Sequence, residues 1–100
     1  MHFTFDWDPA KESINIRKHK VGFRQAATIF RDPNQLSLFD KEHSDYEDRW
    51  ITLGMDESGM LRVVIHTFEQ ISEGMYNIRV ISARRATSSE INQYREGVES

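Results

Sequence analysis

The 100-residue sequence contains no cysteine, two prolines and five glycines. Without cysteine there is no disulfide framework, zinc ribbon or thiol nucleophile. The longest unbroken apolar run is Val63-Val64-Ile65, far too short to span a membrane. Asp6, Asp8 and Lys11 stand where a secretory signal would need an apolar stretch, so a soluble cytoplasmic protein with no membrane contact is expected. Repeats, low-complexity stretches and linkers are also missing, and residues 1–100 read as one domain. A chain of this length buries roughly 65% of its unfolded surface, enough for a modest core without covalent staples.

What is present is an uneven charge pattern beneath a net charge of −3. Residues 1–31 are basic through Lys11, Arg17, Lys18, Lys20, Arg24 and Arg31. Residues 32–60 are strongly acidic, with Asp40, Glu42, Asp45, Glu47 and Asp48 in one run. Residues 61–86 turn basic again at Arg62, Arg79, Arg84 and Arg85. The net charge argues against binding nucleic acid by bulk electrostatics, but basic ends around an acidic middle can fold to give one positive surface. Nine of the thirteen cations are arginine, whose planar fork suits phosphate and carboxylate.

Hydrophobic periodicity gives the order of elements. Phe3-Thr4-Phe5-Asp6-Trp7 alternates as a half-buried strand. Asp8-Pro9 starts a helix that runs to about Lys20, with Ala10 and Ile14 on its inner face and Gly22 ending it. Phe23, Ala26, Ala27 and Phe30 form the apolar stripe of a second helix, stopped at Asp32-Pro33. The period then changes to two. Strands are expected at 36–39, 49–55, 60–68 and 75–83, with a hairpin turn at Asp56-Glu57-Ser58-Gly59 and loops over 40–48 and 69–74. Thr87-Ser88-Ser89-Glu90 is a capping box for a last helix that docks through Ile91, Tyr94 and Val98. The fold class is α+β: strand, two helices, an antiparallel sheet of three to four strands, and a C-terminal helix at an edge.

Alternation also assigns faces. If the mostly aliphatic sets, including Val63 and Ile65, pack on the helices, His66, Arg79 and Arg62 share the open side of the sheet. In that register Arg49 falls on the helix-facing side, while Arg84 and Arg85 reach over the rim of the last strand. A histidine among arginines suits RNA phosphodiester transfer, in which acid–base groups move protons and guanidinium groups stabilise the crowded phosphorus. The structural alternative is that His66 is a hydrogen-bonded core histidine. Lys18 and His19, at a helix C-terminus, either offset the helix dipole or contact RNA phosphates. No His-Glu-x-x-His spacing or calcium-loop glycine is present, so neither a metal nor a cofactor is expected. The acidic run is either a solvated loop or a phosphate mimic.

The ordered segments Phe5-Asp6-Trp7-Asp8-Pro9-Ala10-Lys11, Lys18-His19, Ala26-Ala27-Thr28-Ile29-Phe30 and Asp32-Pro33 lead into Arg49-Trp50-Ile51-Thr52-Leu53-Gly54. Val63-Val64-Ile65-His66-Thr67 and Ile78-Arg79-Val80-Ile81-Ser82-Ala83-Arg84-Arg85-Ala86-Thr87 complete a set spanning nearly the whole chain. Together they resemble the BrnT family, the toxin half of a type II toxin–antitoxin pair. The resemblance implies a RelE-like fold and a metal-independent endoribonuclease that inhibits translation. It also implies a cognate BrnA-like antitoxin, through whose DNA-binding domain the complex contacts operator DNA and represses its own operon. On the matching segments, His66, Arg79, Arg84 and Arg49 are the catalytic candidates, and Lys18, His19, Arg62 and Arg85 the RNA-binding ones. The rival from a different class is a non-catalytic binding protein acting as a corepressor subunit. Lys20 departs from the family pattern, which has glycine after the histidine, and Arg24-Gln25 replaces a Glu-Glu pair.

Overall fold

The computed structural model describes residues 2–99. Strand β1 (His2–Trp7) leads into helix α1 (Pro9–His19), then the short helix α2 (Phe23–Ala26). From Ala27 to Arg31 the chain tightens into a 3₁₀ helix, before β2 (Leu36–Phe39). Strands β3 (Arg49–Met55), β4 (Leu61–Thr67), β5 (Glu69–Ser72) and β6 (Met75–Arg85) follow, and helix α3 (Ser88–Glu99) closes the fold. The sheet order is β1-β6-β4-β3-β2, with β5 pairing β6 beyond the end of β4. All neighbours are antiparallel except β1, which runs parallel to β6. The expected sheet of three to four antiparallel strands is therefore six-stranded and mixed. The additions are β1, which joins at an edge, and β5, which occupies part of a segment read as loop.

The start of α1 matches its sequence signals. The Asp8 carboxylate accepts from Ala10 N at 2.8 Å, and Pro9 takes the first helical position. Its inner face does not match. Ala10 and Ile14 are exposed, and α1 instead turns Glu12, Asn15 and His19 inward, at the i, i+3, i+7 spacing of one helix face. Asn15 is buried, donating to Val21 O at 3.0 Å and accepting from Ala83 N at 3.0 Å. Glu12 accepts from Phe23 N at 2.8 Å. Helix α1 is thus held largely by side chains that satisfy otherwise orphaned backbone groups, which a search for apolar periodicity passes over.

Two cores form, one on each side of the sheet. On one side Phe23, Ala26, Ala27 and Ile29 pack with Val21 against Val64, Val80 and Ala83. Gly54 belongs to this side, where an added Cβ would come within 3.0 Å of the Ile29 Cβ, so the 3₁₀ segment can lie this close only over glycine. On the other side Tyr94 of α3 packs with Leu53 and Val63. Its hydroxyl donates to Asp32 at 2.7 Å. The expectation of helices on one face and α3 at an edge is corrected: α3 covers part of the opposite face. The capping box forms as read, with Glu90 N bonded to Thr87 Oγ1 at 3.2 Å and Thr87 N to Glu90 Oε1 at 2.8 Å.

Candidate active site

Strand pairing places every nominated side chain, because residues opposite one another in a sheet share a face. His66 pairs with Trp50 and Val80, and Val64 pairs with Thr52 and Ala83. Val64, Val80 and Ala83 belong to the core under α2. A β-bulge at Ile81 shifts the register between Ile65/Ser82 and His66/Val80. Simple alternation along β6 therefore fails past Val80: Val80 and Ala83 share a face although three residues apart. The even set of β4 faces α2, and the aliphatic odd set faces α3, the reverse of the expected assignment.

His66 consequently lies beneath the helical layer and not beside Arg79 on an open surface. It is 3% exposed, with the Phe30 ring edge-on at 4.8 Å between centroids. Both ring nitrogens are engaged. Nδ1 lies 2.9 Å from the Thr67 carbonyl, which can only accept, so this nitrogen carries the hydrogen. Nε2 then accepts from the Thr52 hydroxyl at 2.6 Å, and Thr52 in turn accepts from Ser37 at 2.7 Å. Burial pushes the imidazole below its ordinary value, partly offset by the bond to the Thr67 carbonyl. This is a neutral, satisfied core histidine that a substrate cannot reach in this arrangement.

Arg62 is likewise corrected from a surface RNA contact to a buried one. Its Nε donates to Asp56 at 2.9 Å, with both side chains out of solvent. Burial raises the Asp56 carboxyl, but bonds from Ser58, Arg62, Met60 N and Gln25 outweigh it and hold the group at about 2. Asp56 thereby ties the β3–β4 turn to α2. Arg84 forms a bidentate pair with Glu90 at 2.8 and 2.9 Å, so its fork is already filled. That pairing, against the opposing effect of burial, holds Glu90 at about 2. Arg85 and Lys18 are exposed, and His19 is half-buried at the end of α1. None of the three lines the depressions around Arg49 and Arg79.

Arg49 and Arg79 do come together, on the α3 side of the sheet. Arg49 pairs with Thr67 across β3 and β4, and Thr67 Oγ1 accepts from Arg79 N at 3.2 Å. Three adjacent strands thus set Arg49, Thr67 and Arg79 in a row. Glu47, two residues before β3, accepts from Arg79 Nη2 with one carboxylate oxygen, and the other lies 3.7 Å from Arg49 Nη2. Arg49 Nε is buried and has no hydrogen-bond partner among the described residues. The cluster thus holds one carboxylate between two guanidinium groups and keeps a donor unused.

Two depressions meet at Glu47. One, of about 230 Å³, contains Thr67, Asn77 and Arg79 but also Asp48 and Glu69. The other, of about 190 Å³, contains Arg49, Tyr46 and His43. His43 belongs to a 3₁₀ turn, Lys41–His43, inside the acidic run, and its Nδ1 lies 3.0 Å from the Asp40 carboxylate. Ser44 accepts from Arg49 N at 3.0 Å and fixes the loop against β3. The sequence reading did not nominate Glu47, which lines both depressions, or His43, which lines the second. The available signal was their position: the acidic run leads directly into Arg49, so its last residues must sit beside that guanidinium. Among the described residues, no group of three or more histidine, aspartate or glutamate side chains is arranged to hold a metal ion.

A mixed six-stranded sheet between helical layers, with a guanidinium pair meeting on one carboxylate at its open end, defines a small α+β protein. Residues 7–90 match the profile of the family described as ribonuclease toxin, BrnT, of type II toxin–antitoxin system, and the chain belongs to that family. Its fold is similar to the crystal structure of the Brucella abortus ribonuclease toxin BrnT, with a TM-score of 0.57 and 20% identity, over 88% of this chain and 100% of that one. No curated protein matches the chain. Membership makes the protein the ribonuclease toxin component of a two-part system, and so implies an antitoxin partner. No helix among the described residues is long and apolar enough to cross a membrane.

Proposed function

We propose that the protein is a metal-independent endoribonuclease of RelE-like design that cuts RNA at the Arg49–Glu47–Arg79 cluster. One observation carries this reading: two guanidinium groups from separate strands meet on one carboxylate at the exposed end of the sheet. A phosphodiester placed there would have its non-bridging oxygens held by Arg49 and Arg79, where negative charge grows as phosphorus becomes five-coordinate. The ribose 2′-oxygen forms a bond to phosphorus, and its proton passes to the Glu47 carboxylate. The bond to the 5′-oxygen breaks, and that oxygen takes a proton from His43, which Asp40 orients. The products are a 2′,3′-cyclic phosphate and a 5′-hydroxyl. In this scheme His66 is a positioning residue that fixes Thr67, and through it the backbone of Arg79.

RNA cleavage of this kind would inhibit translation in the cytoplasm. A cognate BrnA-like antitoxin would hold the toxin inactive, and the pair would reach operator DNA through the antitoxin alone and repress its operon. The test is purified protein with end-labelled RNA in excess EDTA. Cleavage to cyclic-phosphate ends is expected, and Arg49→Ala and Arg79→Ala should lose it. Absence of products from the parent protein would overturn the catalytic reading in favour of a non-catalytic corepressor subunit.

A further inference from the structure

The candidate cleavage site has little attraction of its own for a polyanion, because Glu47, Asp48 and Glu69 surround Arg79. Substrate must be gathered elsewhere. A groove of about 640 Å³ lies on the α2 side of the sheet, between edge strand β1 and the helical segment that ends at Arg31. Its lining includes His2, Phe3, Phe5, Phe30, Arg24 and Arg31. Period-two alternation turns Phe3 and Phe5 to the same face, and they remain 39% and 38% exposed. Their rings continue an aromatic row, Phe3 lying 6.0 Å from Tyr76 and Phe5 lying 5.7 Å from Phe30.

The arginines of this groove differ from four arginines of the sheet strands. Arg49, Arg62, Arg79 and Arg84 each face a carboxylate. Arg24 and Arg31 are exposed, and neither has an acidic partner among the described residues. One acid, Glu57, lines the same groove. Partly exposed aromatic rings beside guanidinium groups without a carboxylate partner match single-stranded nucleic acid, in which bases stack on rings and phosphates pair with cations. Strand β1 is also next to β6, with Asp6 opposite Arg79 in the register. Phe3 and Phe5 alternate with Asp6, so the groove and the cleavage cluster lie on opposite faces of the sheet, and an RNA strand reaching both would pass around the β1 edge.

We infer that the groove between β1 and α2 is a binding platform for single-stranded RNA, with bases on Phe3 and Phe5 and phosphates at Arg24 and Arg31. The inference rests on the ribonuclease reading for the identity of the strand, but its test does not need cleavage. The probe is a fluorescently labelled 2′-O-methyl RNA 12-mer, which lacks the nucleophilic hydroxyl, titrated by anisotropy at several salt concentrations. Arg24→Glu with Arg31→Glu should weaken binding more than tenfold. It should also reduce the slope of log affinity against log salt by about 1.4, because two phosphate contacts are lost. Phe5→Leu keeps the apolar contact with Phe30 but removes a ring face, and should weaken binding about fivefold with the slope unchanged. Circular dichroism of both variants should match the parent. Parental affinity and slope in both folded variants would overturn the platform, and would do so even if those variants lost a protein partner, which would then own the groove. A parent that binds the probe through the groove but never cuts RNA would sink the catalytic reading and leave this one standing.

Discussion

The two ends of strands β3 and β4 handle polar groups in opposite ways. Toward the β3–β4 turn, on the α2 side, Arg62 and Asp56 are buried together and every acceptor of Asp56 is used. At the other end, on the α3 side, Arg49 and Arg79 share Glu47 half in solvent, with Arg49 Nε unsatisfied. A closed network fixes structure because each removal strands a partner in low dielectric. An open one can exchange its internal carboxylate for an external anion at small cost. The difference teaches that an arginine beside a carboxylate says little until burial and spare valency are known. It also explains why two arginines nominated by the same sequence logic take different roles.

Breaking the closed network should have the largest effect. Arg62→Ala leaves the Asp56 charge in a 4% exposed site, and should cost about 3–5 kcal/mol in denaturant unfolding. Next comes Arg79→Ala, expected to reduce RNA cleavage about 100-fold, as losing one charge-stabilising donor typically does. Because its pair with Glu47 is largely exposed, unfolding stability should change by less than about 0.5 kcal/mol. If Arg79→Ala destabilised the protein as strongly as Arg62→Ala, the contrast between the two ends would collapse.

His66 sharpens the comparison through pH. Its folded-state pKa lies below the ordinary 6.5, because burial disfavours the charged ring. The unfolded chain therefore takes up this proton first, and stability falls as pH drops below about 6.5. The loss approaches about 1.4 kcal/mol per pH unit for one proton. In His66→Gln the residue cannot titrate, so unfolding midpoints of parent and variant should converge from pH 7.5 to pH 5.5. A constant offset would show that the imidazole is open to solvent after all, returning it to the list of acid–base candidates.

Much of this architecture was legible from residue pattern. The Asp8-Pro9 start, the Phe23–Phe30 stripe, the β3–β4 hairpin and the capping box at Thr87 are local devices, and each formed where its chemistry lies. Face assignment was not legible, for two physical reasons. A one-residue bulge at Ile81 exchanges the two sides of β6 without leaving a mark in the sequence, since isoleucine suits either a paired or a bulged position. The second reason is that both sides of the sheet carry a helix. Aliphatic Val63 and Leu53 pack beneath Tyr94, leaving the other face to Val64 and to polar Thr52 and His66. The rule that the more apolar set meets the helices therefore had no unique answer. Of the candidate site, the guanidinium groups of Arg49 and Arg79 were found by type. Glu47 and His43 were hidden in a run whose acidity suggested only solvent.

The smallest effect concerns where backbone strain is kept. Lys20 is the one non-glycine residue with positive φ among the described residues, at 62°, and it ends α1 with its N–H bonded to Ile16 O at 2.9 Å. A side chain in this left-handed conformation costs about 1–2 kcal/mol. Glycine would remove most of that cost but would also loosen the unfolded chain by roughly 0.4–1 kcal/mol. The replacement further deletes the bond from Lys20 Nζ to Arg17 O, which is solvent-exposed and contributes little. Lys20→Gly should therefore raise stability by about 0.5–1 kcal/mol, whereas Lys20→Ala keeps the strain, loses the bond and should be slightly destabilising. Strain stored at a functional site is usually lost together with activity. This strain lies at the end of a helix clamped by Asn15 and Glu12, away from Arg49 and Arg79, so RNA cleavage by Lys20→Gly should equal that of the parent. A stabilised variant that cut RNA poorly would place part of the catalytic machinery on the α2 side of the sheet, contradicting the assignment of cleavage to the α3 side.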